Sequence, residues 1–171
     1  MNKAVVLDTS FLITLANAAR PYHETARKYW RYFLDNEIIV YLPTIVVSEF
    51  QLRQEIPPVI LRSCIILPFN WNDALKAADL DFTQFKKEGQ DRVALKDDIK
   101  IIAQAAVIKA SHLITEDEET LFRYAATLRL KGKLDLRVIV LGKGFDESFL
   151  NDGQRELGED FGKVPLSETG L

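Results

Sequence analysis

Residues 3–12 read KAVVLDTSFL. Four apolar residues, Ala4 to Leu7, run without polar alternation, the pattern of a strand buried on both faces of a parallel sheet. The run ends in a carboxylate, Asp8, followed by the hydroxyls Thr9 and Ser10. "SFLITLANA" then has helical character, with Thr9 or Ser10 available as N-cap. A strand, a tight turn and a helix in this order are the opening of an α/β unit. In open α/β sheets, sites form beyond the carboxyl ends of strands. Asp8 is therefore either a plain helix-start acid or part of such a site.

The alternation continues along the chain. "YHETARKYWRYFLDN" (22–36) has helical spacing of Tyr22, Ala26, Tyr29, Trp30 and Phe33. "EIIVYLP" reads as a strand, and Thr44 caps a helix through about Gln54, where Pro57 and Pro58 oppose its continuation. "CIILPF" is strand-like, and "NDALKAADLDFTQFKKEG" is helical with Gly89 as its stop. "DDIKIIAQAAVIKA" is a helix, "HLIT" a buried strand, "DEETLFRYAATLRLKG" a helix ending at Gly132, and "LRVIVL" a strand. Strands alternating with helices predict a layered α/β fold with a mostly parallel sheet. The division expected is a domain over 1–141 and a partly ordered C-terminal extension over 142–171, where the chain turns polar and loses its period.

Length and composition fit that architecture. The 171 residues are 47% hydrophobic and 27% charged, enough for a core and too apolar for wholesale disorder. The net charge of −3 does not announce a nucleic-acid binder, although a local basic patch can hide within it. A single cysteine, Cys64, forbids an intramolecular disulfide and makes a reducing cytoplasm the expected setting. No signal peptide is expected, and no apolar run is long enough for a membrane span. His23 and His112 stand alone and read as surface or packing residues.

The acids carry the chemistry. Asp117 follows "HLIT" as Asp8 follows the first strand. On a helix from Thr44, a step of about 100° per residue puts Glu49 on the arc of Ile45, Val46, Phe50 and Leu52. An inward acid is costly without a partner, and an i,i+4 pair with Arg53 would not explain its direction. The same projection aligns Asp98 with Ile101, Ile102 and Ala105, and turns Asp97 toward the polar side with Gln104. Each acid alone is also what a helix start looks like. Asp8, Glu49, Asp98 and Asp117 gathered at one sheet edge would repel unless a cation intervened. Oxygen ligands without a His or Cys cluster select a hard ion, Mg²⁺ or Mn²⁺. Such a site suits phosphodiester cleavage, with Glu49 orienting or deprotonating the attacking water. Thr9, Ser10 and Thr115 would support the acids or the phosphate. An anionic substrate calls for a basic rim, for which Arg92, Lys96, Lys100, Arg123, Arg129, Lys131 and Lys133 are candidates. Trp30, Tyr32 and Trp71 are candidates for base stacking.

Taken in order, the motifs resemble the PIN domain, the fold of many small ribonucleases. "VVLDTSFL", "LPTIVVSEF", "DDIKIIAQAA" and "HLITEDEE" resemble its four acidic motifs, with Asp8, Glu49, Asp98 and Asp117 as the acids and Thr115 beside the last. Ile102 departs from the pattern, standing where the family usually has alanine. The resemblance spans roughly residues 3–141. It implies a parallel sheet of about five strands flanked by helices in three layers. It also implies a Mg²⁺- or Mn²⁺-dependent endoribonuclease acting on single-stranded RNA or exposed loops. Many prokaryotic members are VapC-type toxins that pair with a small antitoxin, and homodimers are common among them. The competing reading is a non-catalytic PIN scaffold that binds RNA or a protein partner.

Overall fold

The computed structural model describes residues 3–81, 83 and 92–150, and side chains 92–94 lie outside that set. The elements are β1 (Ala4–Leu7), α1 (Thr9–Ala16), α2 (His23–Asp35), β2 (Ile39–Pro43), α3 (Thr44–Gln51), α4 (Pro58–Ser63) and β3 (Ile65–Leu67). They continue with α5 (Trp71–Asp79), α6 (Arg92–Val107), β4 (His112–Thr115), α7 (Leu121–Leu130) and β5 (Arg137–Val140). Short 3₁₀ turns follow at Leu141–Lys143 and Glu147–Phe149.

Among the described residues, five strands form one parallel sheet in the order β3-β2-β1-β4-β5. Parallel neighbours require crossovers, and these are nearly always right-handed. The path β1 to β3 therefore puts α1 to α4 on one face, and the return through β4 to β5 puts α5 to α7 on the other. The contacts agree: α1 packs on α2 and α3, and α6 packs on α5 and α7. The result is the three-layer fold that the sequence predicts. β1 and β4 are buried at every position, which is why neither alternates with polar residues.

Local departures from the sequence reading have local causes. The N-cap of α1 is Asp8, whose side chain accepts from Ser10 N, so Thr9 and Ser10 lie inside the helix. Pro43, not Thr44, caps α3, which ends at Gln51. After Pro57 the chain starts the short α4, with Pro58 in its first turn, where a missing N–H costs nothing. α5 ends at Asp79, and the expected stop at Gly89 lies outside the described residues. α6 begins at Arg92, earlier than expected.

The beginning of the C-terminal extension packs on the body. Tyr29 Oη donates to Gly144 O and accepts from Asp146 N at 3.1 and 3.2 Å. The Tyr29 and Phe145 rings meet edge to face at 4.9 Å. His112 Nε2 lies 2.7 Å from Phe149 O, and Leu150 is buried. Residues 151–171 lie outside the described set. Among the described residues, no helix is long and apolar enough to cross a membrane. Cys64 is a free thiol, and burial pushes it up to about 12, so it is an inert packing group as the sequence suggests.

Candidate metal centre

β1 and β4 are neighbours, with Leu7 opposite Ile114, and Asp8 N donates to Ile114 O at 3.1 Å. The carboxyl ends of the two strands therefore deliver Asp8 and Asp117 to one edge. The strand order reverses here, because β2 lies on one side of β1 and β4 on the other. Crevices open at such switch points. α3 leaves β2 at the same edge and carries Glu49. α6 runs toward the start of β4, so its early residues, Asp97 and Asp98, also stand at this edge.

Asp8 is buried. Its Oδ2 accepts from Ser10 Oγ at 2.5 Å, Thr115 Oγ1 at 2.8 Å and Ser10 N at 3.2 Å. Burial raises its carboxyl above the ordinary range, against the pull of these hydrogen bonds. Glu49 accepts from Thr9 Oγ1 and not from Arg53. Burial raises it too, assisted by Asp8 and Asp97 and opposed by the Thr9 bond and Lys100. Asp98 is the hub. Burial first, then the charges of Asp8, Asp117 and Glu49, push its carboxyl up to about 8. The other three predicted acids are thus close enough to act on Asp98 electrostatically.

Asp117 also does the plain work that its position suggested. Its Oδ1 accepts from Glu119 N and Thr120 N, both at 2.9 Å, and shapes the turn into α7. The Thr120 hydroxyl donates to Asp117 Oδ2 and also lies within bonding reach of Asp98. One hydroxyl proton cannot serve both carboxylates. Thr115 Oγ1 in turn accepts from Asp117 N at 2.9 Å, joining the first and last acids.

The structure adds roles that the sequence did not assign. Glu116 N donates to Ser10 Oγ at 2.8 Å, and the Glu116 carboxylate accepts from Thr14 Oγ1 and, at 2.9 Å, from Arg20 Nη2. Asp97, read as facing the polar side, is close enough to Glu49 to raise it and binds Lys100 Nζ at 2.8 Å. The basic rim is smaller than expected. α7 runs away from the acid edge, so Arg129, Lys131 and Lys133 stand toward the opposite one, and Lys133 Nζ lies 3.2 Å from Asp79 O. Arg123 and Lys96 are exposed, and the Arg92 side chain lies outside the described set. Trp30 and Tyr32 pack partly buried against the core, whereas Trp71 is exposed. His23 lies 3.0 Å from Thr14 O, and His112 bridges Ser111 Oγ and Phe149 O.

No family model matches the sequence, and no curated protein is similar to it. Among solved structures, VapBC2 from Rickettsia felis, bound to a DNA fragment from its promoter, is similar at a TM-score of 0.54 and 15% identity, over 79% of this chain and 98% of that one. FitAcB from Neisseria gonorrhoeae is similar at a TM-score of 0.53 and 20% identity, over 81% and 98%. The chain has the PIN-domain fold. VapC20 from Mycobacterium tuberculosis, a toxin that cleaves the sarcin–ricin loop, is similar at a TM-score of 0.50 and 15% identity, over 72% and 94%.

On this PIN fold the donor set fits a hard divalent cation: four carboxylates, no sulfur and no imidazole. Among the described residues, no three His, Cys, Asp or Glu side chains are gathered closely enough to hold a metal ion as they stand. The hydrogen bonds explain why. Glu49 is drawn to Thr9, Asp8 to Ser10 and Thr115, and Asp117 to Thr120. Each of these bonds turns a carboxylate oxygen toward a hydroxyl of the chain.

Proposed function

We propose that this protein is a Mg²⁺- or Mn²⁺-dependent endoribonuclease that cuts single-stranded RNA or exposed RNA loops. The supporting observation is that Asp8, Glu49 and Asp117 converge with Asp98 at one sheet edge, where burial first and then their three charges push the Asp98 carboxyl up to about 8. Asp8 and Asp117 also serve the starts of α1 and α7, but those roles do not bring Glu49 and Asp98 to the same edge, and the repulsion among the four is a cost to the fold. A divalent ion bound by them would remove that cost, clamp a phosphodiester and stabilise the leaving oxygen.

The remaining tasks belong to the chain. Ser10 and Thr115 hold Asp8 by Oδ2. Thr9 fixes Glu49 by Oε2, leaving Oε1 to orient the attacking water and take its proton. Thr120 and the turn amides hold Asp117.

The likeness to VapC20, a toxin that cleaves the sarcin–ricin loop, supports a toxin role, and a small antitoxin is the partner that such a role calls for. A homodimer and a cytoplasmic setting belong to the same proposal. Incubation of the purified protein with a structured RNA and Mg²⁺ tests the activity. Cleavage is expected to stop with EDTA and to fall about 10²-fold or more in Asp8→Asn and Asp98→Asn. Cleavage that ignores EDTA, or survives both substitutions, rejects the mechanism.

A non-catalytic PIN scaffold is favoured by one observation, the absence of a ready metal-holding group among the described residues. Calorimetric titration with Mn²⁺ separates the two readings. Heat of binding that disappears in Asp98→Asn supports the nuclease, and none at all supports the scaffold.

A further inference from the structure

Two of the four acids have an acidic neighbour in the chain, and each neighbour holds a cation. Glu116, beside Asp117, takes Arg20 Nη2 at 2.9 Å, and Asp97, beside Asp98, takes Lys100 Nζ at 2.8 Å. In each pair the acid is sunken and the cation surfaced. The side chains of Glu116 and Asp97 are 15% and 21% exposed, and those of Arg20 and Lys100 are both 40% exposed. The acids in the pairs Arg27–Glu24, Lys76–Asp79 and Lys143–Glu118 are instead more than half exposed.

Stability does not account for the two pairs, since partly exposed ion pairs contribute little. What they do is fix a positive charge in place. Glu116 is itself held by Thr14 and by the bond from its N–H to Ser10. Arg20 also keeps its Nε–H buried without an acceptor, so its protein partners do not satisfy the guanidinium. With its side chain 40% exposed, a guanidinium that holds a carboxylate through one nitrogen still presents surface to which a phosphate can bind. Arg20 follows α1 on one helical layer and Lys100 lies on α6 in the other, with the acids at the sheet edge between them.

We infer that Arg20 and Lys100 form a track for the RNA backbone. The strand crosses the acid pocket from one helical layer to the other, and each cation binds a phosphate flanking the one that is cut. The inference rests on the ribonuclease reading above and adds the path and the contacts of the substrate. The fixed cations also offset the repulsion that an anionic strand meets at a cluster of carboxylates.

The test is salt-dependent binding. A fluorescein-labelled single-stranded oligoribonucleotide is titrated by fluorescence anisotropy against protein in the Asp8→Asn background, across a series of KCl concentrations. Each phosphate contact on a single strand contributes about 0.7 to the slope of log affinity against log salt. Arg20→Ala and Lys100→Ala are each expected to lower the slope by about 0.7, and the double variant by about 1.4. Arg20→Lys and Lys100→Arg keep the charge and hold the slope, which separates contact from folding. In the cleavage-competent protein each alanine variant raises KM several-fold with little change in kcat. A role confined to folding would instead lower the thermal midpoint and kcat and leave the slope intact. A wild-type slope in either alanine variant overturns the track while cleavage stands. If the wild-type protein neither binds nor cuts the oligoribonucleotide, the ribonuclease reading falls and the track with it.

Discussion

Asp98 sits in surroundings that favour its proton, and this has a measurable sign. Burial and the neighbouring acids push its carboxyl up to about 8 in the folded chain, against 3.8 for an ordinary aspartate. Between these values the folded state binds more protons than the unfolded one, so stability falls as pH rises through the window and levels off above it. Asp8 and Glu49, also raised, act in the same direction. Thermal denaturation in EDTA should therefore show a midpoint that declines from about pH 4 to about pH 8. Asp98→Asn should flatten the decline and raise the midpoint at pH 8, by roughly 2–4 °C for each kcal/mol of repulsion relieved. A wild-type midpoint that rises across the window contradicts the crowding. Mn²⁺ should raise the wild-type midpoint at pH 8 more than at pH 5, where protons compete for the same oxygens, and should do little for Asp98→Asn. Thr115→Val removes a donor to a buried carboxylate and an acceptor for Asp117 N. It should cost about 1–3 kcal/mol by urea denaturation, and an unchanged midpoint would show that the two bonds are idle. The four acids were legible because each breaks an apolar pattern or ends an apolar run. Helical projection told Asp98 from Asp97 but missed what Asp97 does, because Lys100 and Glu49 approach it from outside that projection. Arg20 was not legible at all, since its partner lies 96 positions along the chain.

Most helices and strands follow from period and composition, and their ends depend on short-range chemistry that periodicity does not carry. α4 shows the difference. Two prolines argue against the continuation of a helix, yet a proline in the first turn starts a new one without losing a hydrogen bond. α5 is held at its start by a capping box: Asn70 Oδ1 accepts from Asn72 N and Asp73 N, and Asp73 Oδ2 accepts from Asn70 N at 2.8 Å. Asn70→Ala should cost about 1 kcal/mol in urea denaturation. A neutral result would mean that packing against α6 alone holds the helix start. Gln104 Nε2 donates to Leu67 O at 3.0 Å from the same side. This bond ties the acid-bearing α6 to the end of β3 and stiffens the helix that presents Asp98.

For the whole molecule, a parallel layered sheet was legible from the run of buried strands, but the order β3-β2-β1-β4-β5 was not. Which strands pair depends on crossovers that a single sequence does not display, and that order decides which acids meet. The C-terminal segment is the other feature hidden from periodicity. Residues 144–150 are held by Tyr29, His112 and the burial of Leu150 rather than by a regular element. Ending the chain at Lys143 removes that buried leucine and several hydrogen bonds. It should cost about 3 kcal/mol or more in chemical denaturation, and an unchanged midpoint would show the segment to be an ornament. His112 opens β4 while Thr115 closes it at the acids, so the segment finishes at the strand's far end, where Lys3 also enters β1. Leu150 therefore lies at the rear of the protein. A chip or bead coupled to a chain ended at Leu150 would leave the acidic mouth turned toward the solution.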